Sequence, residues 1–360
     1  MYTYATLDLR PTADAQEANR QILAGPVLGV EVTVPALAQA CSLGNIDPQH
    51  LGGDAQTAAI EAALDWPLPP TGATLATVRP DADALGAMAV LLLRAGRYRL
   101  TEGARQRVAL IAAADKEAAA PWPGPRPAPS AEELLSPATP VMHLAADHTR
   151  PLGRRVDLLA EWLRLGEDSP AGTILAGYRD RALAEAQQAL DSLQVTATAA
   201  IAVVVGSHRL AMGIGYRYAP VVVATNPAFS FAGGPAHRKH TVARWRTGTL
   251  LMEWEDLRGD LNEQDPATTD TALWGGSSSI IGSPMGVASG LSTDQVVAIV
   301  RQHVLDGLQQ ECWELERYAD HYAALAALGE SYDTADAALV QADQAWVVRA
   351  LADEQAACGS

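Results

Sequence analysis

The segment T77-V-R-P-D-A-D-A-L-G86 constrains this chain more than any other. It joins the apolar run Ala73–Val78 to the apolar run Ala87–Leu93, so a strand is predicted to give way to a helix within a few residues. Two carboxylates, Asp81 and Asp83, stand at that junction. An unpaired charge at the end of a buried strand carries a large desolvation cost. Two roles repay it. Aspartate is a common N-cap and could serve the helix alone; or the pair supplies oxygen ligands to a divalent cation, which needs several of them converging from short loops.

The remainder of the first half alternates in the same way. Strands are predicted at 2–9, 72–78 and 107–113, the last ending at Asp115. Helices are predicted near 13–23, 55–64, 84–94, 155–165 and 179–193. Short apolar runs interleaved with helices indicate a layered α/β domain with a mostly parallel sheet. Ligands of such sheets gather at the carboxyl ends of the strands, where Asp81, Asp83 and Asp115 are expected. The proline-rich stretch 121–129 reads as a surface loop. Beyond about residue 195 the pattern changes to β runs at 196–206 and 218–224, with a third element, strand or short helix, at 244–254. The spacing of Val296, Val297, Val300, Val304 and Leu308 predicts an amphipathic helix, followed by helices at 311–328 and 333–353. The expected architecture is therefore a two-domain α/β protein. Residues 1–195 form a metal-binding domain, and 196–360 a smaller α/β substrate-binding domain with C-terminal helices.

Composition narrows the function. With 48% hydrophobic and 19% charged residues the chain is globular. Lys and Arg number 26 against 42 Asp and Glu, a formal charge of −16. Such a surface repels phosphate backbones, so long nucleic acid is not the expected partner. A small phosphorylated molecule or nucleotide is not excluded, because a cation or a few arginines can reverse the field inside a cleft. Cys41, Cys312 and Cys358 are too scattered for a zinc cluster or a disulfide framework. No signal-peptide pattern opens the sequence and no apolar run is long enough for a bilayer, so a cytoplasmic location without membrane association is expected. A homo-oligomer is compatible with all of this.

Candidate ligands are Asp47, His50, Asp81, Asp83, Asp115, Asp147 and His148. Several carboxylates with one or two imidazoles suit Mn²⁺ or Mg²⁺. A pair of such ions would activate a water and neutralise a transferring phosphoryl group. In the second half, G233-G-P-A-H-R-K-H240 concentrates positive charge, with Arg238 and Lys239 as candidate phosphate contacts. The segment W274-G-G-S-S-S-I-I-G282, with Gly275, Gly276 and Ser277, could wrap an anion with backbone N–H groups or be a structural turn. It lacks the lysine of a nucleotide P-loop.

These motifs resemble those of the DHH phosphoesterases, a superfamily that includes RecJ-like nucleases and small-molecule phosphodiesterases. From Pro80 onward the first segment matches that family's H-x-x-P-D-x-D-A-x-G pattern, with Thr77 in the histidine's place. Asp115 matches the lone aspartate of the second motif. D147-H-T149 matches the Asp-His-His triplet except at Thr149, and Asp157 and Asp168 stand where a further metal-binding aspartate is sought. The resemblance implies manganese-dependent hydrolysis of a phosphoester or phosphoanhydride. Asp81, Asp83, Asp115 and His148 would carry catalysis, and His50 would replace the missing imidazole. Thr77 and Thr149 support an alternative: a non-catalytic ligand-binding or scaffold protein on a degenerate DHH fold.

Overall fold

A computed structural model describes residues 2–10, 12–52, 54, 56–116, 124, 130–230, 234–245, 252–277, 279–328 and 334–358. The chain divides into two compact units, 1–120 with 135–185 and 121–134 with 186–360. Most of the proline-rich stretch lies outside the described residues.

In the first unit β1 (Thr3–Thr6), β2 (Val27–Val30), β3 (Asn45–Ile46) and β4 (Thr74–Thr77) form a sheet in the order β1-β4-β2-β3. Every pairing is parallel, so all four carboxyl ends lie along one edge. Side-chain alternation divides these strands between two layers. Leu28, Val30 and Leu75 enter a large core with α4 (Ala82–Ala95) and α7 (Leu152–Leu165). Val27 and Ala76 enter a smaller core on the other face, with Ile22 of α1 (Ala13–Leu23) and Leu37 of α2 (Pro35–Ala40). The helix α4 is buried along almost its whole length, as the apolar run from Ala87 predicts.

One strand expectation fails. Residues 107–113 belong to the helix α5 (Glu102–Lys116), whose buried positions Ala104, Val108, Ile111 and Ala112 recur at helical spacing. The short run V-A-L-I-A-A reads as a strand only if the exposed Arg105, Gln106 and Ala109 between its buried positions are overlooked. Asp115 therefore reaches the sheet edge from the last turn of a helix.

The second unit carries a six-stranded sheet in the order β5-β6-β7-β8-β10-β9. Its strands are β5 (Gln194–Ala197), β6 (Ile201–Val205), β7 (Val221–Phe229), β8 (His237–Arg244), β9 (Gly275–Gly276) and β10 (Ile280–Gly282). Only the β6–β7 pair is parallel. Val296, Val300, Val304 and Leu308 pack into its core from α11 (Thr293–Leu328), a single continuous helix where two were expected. The element expected at 244–254 is the end of β8 and the start of α10 (Trp254–Gln264), with 246–251 outside the described residues. The second unit is no smaller than the first. Ala189 and Leu193, in and just beyond the C-terminal turns of α8 (Pro170–Ser192), and Leu134 all pack with Val204 and Val222. Among the described residues no helix is long and apolar enough to cross a membrane.

Candidate carboxylate site at the sheet edge

Four chain segments meet at the carboxyl edge of the parallel sheet, and each contributes an acid. The first was missed in the sequence. Glu31 follows β2 directly and is 6% exposed. Its backbone is left-handed (φ 52°), a conformation that costs a residue with a Cβ roughly 1–2 kcal/mol. Neighbouring bonds hold it there. The Glu31 N–H donates to the Ile46 carbonyl at 2.9 Å, and the Asn45 side chain accepts from Val32 N–H (3.2 Å) and donates to its carbonyl (3.1 Å). Gly29 makes room for that amide: a Cβ there would stand 2.5 Å from Asn45 Oδ1. Glu31 Oε2 is buried and has no hydrogen-bond partner.

The second segment is the turn after β3. The Asp47 side chain is 1% exposed. Its Oδ1 accepts from the His50 N–H (3.0 Å) and faces His50 Nδ1 at 2.8 Å. Its Oδ2 is buried and unpartnered. With Nδ1 donating to Asp47, Nε2 of His50 retains its lone pair, and the ring is about half exposed. A carboxylate that orients a histidine in this way is the usual outer support of a metal-ligating imidazole.

The third segment is the strand–helix junction. Asp81 is the N-cap of α4, its Oδ1 accepting from Ala84 N–H at 3.0 Å. Asp83 is 1% exposed and accepts from Ala59 N–H (2.6 Å) and Ile60 N–H (2.9 Å), the first amides of α3 (Ala59–Ala62). Asp81 thus fills the capping role that the sequence allowed, whereas Asp83 holds the start of a different helix. Thr77, at the family's histidine position, is buried and closes a local turn through Arg79. Asp115, from α5, is the fourth contributor; it takes a hydrogen bond from Gln49.

The acids perturb one another. Burial, then the charges of Asp81 and Asp83, pushes Glu31 up to about 10. Burial and Asp115 push Asp83 up to about 7 against the two amide bonds that favour its ionised form. Burial also raises Asp115, opposed by the Gln49 bond. Such mutual elevation is what like charges confined in one place produce.

Asp147 belongs to a different network. It accepts from Thr149 Oγ1 (2.5 Å), Arg150 Nε (3.1 Å) and the Tyr178 hydroxyl, and those bonds, Thr149 foremost, hold its carboxyl far below the usual range. The principal charges acting on Glu31, Asp83 and Asp115 do not include it. His148, Asp157 and Asp168 are exposed.

In the second unit Arg238 and Lys239 lie on β8, not in a loop. Arg238 Nη2 donates to the Ser289 carbonyl (3.2 Å), and Lys239 Nζ to the Ser283 carbonyl (2.5 Å). Burial lowers the Lys239 pKa. Gly275 and Gly276 form the exposed edge strand β9, paired with β10. Ser277 N–H returns to the Ile280 carbonyl and closes a hairpin. A Cβ on Gly276 would collide with that same carbonyl, which accounts for the glycine.

Among the described residues, no three His, Cys, Asp or Glu side chains stand in a ready-made metal-holding arrangement. The donor chemistry at the sheet edge nonetheless suits a hard divalent cation: oxygen donors, an oriented imidazole, and two buried oxygens without partners. No protein-family model, curated protein or solved structure matches the chain, so the DHH resemblance rests on the sequence motifs alone.

Proposed function

We propose that the first unit is a divalent-cation-dependent phosphohydrolase centre acting on a small phosphorylated molecule or nucleotide. The observation that carries this reading is Glu31: a buried carboxyl in a strained backbone, with an unpartnered oxygen, set among Asp81, Asp83 and Asp115. A fold selected for stability alone has no reason to keep it. Glu31, Asp81, Asp83, Asp115 and His50 would hold Mn²⁺ or Mg²⁺, with Asp47 fixing the His50 ring. When bound, the cation supplies an activated water and neutralises phosphoryl charge. The chain's own residues do the rest. The two amides of α3 fix the Asp83 carboxylate, and the Asn45 clamp fixes Glu31. The Asp47 carboxylate turns His50 Nε2 toward a ligating role. In the second unit, Arg238 and Lys239 are proposed as phosphate contacts of that unit, each with donors beyond the carbonyl it already meets.

The test is Mn²⁺-stimulated hydrolysis of a generic phosphodiester and of pyrophosphate by the wild-type and Asp81→Asn proteins. Asparagine caps a helix as well as aspartate does, so the fold is kept while the charge is lost. The reading expects a large fall in kcat; undiminished activity would remove Asp81 from the site.

A specific observation favours a second reading, a non-catalytic ligand-binding or scaffold protein. Both Asp83 oxygens and Asp81 Oδ1 are already engaged by backbone amides, and threonines occupy the two histidine positions. Absence of Mn²⁺ stimulation in protein that binds the ion would select it.

A further inference from the structure

At the opposite end of α4 the first unit has a second concentration of one charge, of the other sign. A cleft of about 200 Å³ is lined by Arg94, Arg99 and Arg105 together with Tyr98, Leu100 and Asp65. Three guanidinium groups facing one acid are unusual in a chain of net charge −16. Arg94 has a structural role, donating to the Ala63 (2.8 Å) and Trp66 (2.6 Å) carbonyls. Arg99 and Arg105 have none. Both are exposed, and among the described residues neither meets a carboxylate.

The placement of one of these arginines also runs against local preference, and the other is presented by the turn that ends α4. Arg105 sits near the start of α5, where a cation opposes the helix dipole. Arg99 follows a turn in which Arg97 adopts a left-handed backbone (φ 58°). That turn is locked by Tyr98 N–H donating to the Leu93 carbonyl at 3.0 Å, and it brings Tyr98 and Arg99 to the cleft.

We propose that this cleft is an anion site for a small phosphate- or polyphosphate-bearing molecule, separate from the carboxylate edge. Arginine's planar fork suits phosphate oxygens bidentately. The Tyr98 ring and Leu100 provide an apolar wall for the organic part of such a ligand. The 14 residues of α4 separate the two sites by roughly 20 Å, so a ligand here does not bridge to the strand ends.

Inorganic pyrophosphate, titrated calorimetrically into the full chain at low ionic strength with EDTA present, tests the site. Without a cation the carboxylate edge repels the probe. Saturable binding is expected, weakened about ten-fold or more by each of Arg99→Ala and Arg105→Ala, one charge-assisted hydrogen bond apiece, and unchanged in Asp81→Asn. Circular dichroism establishes that these surface variants remain folded. No binding to the wild type, undiminished binding in the double variant, or equal loss in Asp81→Asn would each overturn the proposal.

Discussion

Glu31→Gln separates what the site costs the fold from what it does. Burial and the neighbouring aspartates raise Glu31 from an ordinary 4.5 to about 10. An acid raised in the folded state contributes stability that is complete below its unfolded pKa. That contribution is lost as pH climbs toward the folded pKa, because the unfolded chain releases the proton first. The slope approaches about 1.4 kcal/mol per pH unit, hence about 3 kcal/mol between pH 5 and pH 7 for one group. Glutamine fills the same volume and does not titrate. In urea unfolding with EDTA, the two proteins should be similarly stable near pH 4.5. The variant should gain steadily above that, and be the more stable by up to about 3 kcal/mol at pH 7. A residual slope approaching neutrality should remain in both, since Asp83 is raised to about 7. Parallel stability–pH curves, or a less stable variant at neutral pH, would refute the electrostatic account.

Three further outcomes follow from the packing and the polar networks. Gly29→Ala places a Cβ 2.5 Å from Asn45 Oδ1 and 3.1 Å from Cys41 Sγ; it should cost about 1–3 kcal/mol by overpacking and loosen the clamp on Glu31, weakening Mn²⁺ affinity in the same protein. Asp147→Asn should lower stability above the aspartate's unfolded pKa, because a depressed folded pKa contributes only while the group is ionised. Its Mn²⁺ affinity should stay at the wild-type value, and a calorimetric loss of Mn²⁺ binding would return Asp147 to the ligand set. Glu354→Ala removes a carboxylate that is 0% exposed and accepts from Arg301 Nε at 3.0 Å and Ala200 N–H at 3.3 Å; breaking such a buried pair should cost about 3–5 kcal/mol in denaturant unfolding.

The junction at Asp81 and Asp83 was legible because a strand-to-helix change leaves a sharp signature: an apolar run, a proline, an N-cap acid and a second apolar run. Asp47 and His50 were legible as a compact polar turn, although their mutual hydrogen bond was not. Glu31 is hard to single out because V30-E-V-T-V34 has the alternation of a strand, in which an acid simply faces water. The available signal was an acid closing the run V27-L-G-V with no polar residue beside it. Asp115 was singled out for the wrong element, since a six-residue apolar run does not separate strand from helix. Asp147 and His148 are adjacent to an apolar helix end, but no local pattern shows that Tyr178, some 30 residues on, claims the aspartate. The unit boundary was similarly hidden: α8 is continuous, and only its packing shows that its last turns side with the second sheet.

The central claim, that the sheet-edge acids hold a divalent cation, is tested most directly by titrating Mn²⁺ into chelator-stripped protein by calorimetry. The wild type should bind saturably, and Glu31→Gln and Asp81→Asn should each lose most of that affinity while remaining folded. A wild type that binds no Mn²⁺, or variants that bind it as tightly, would contradict the account.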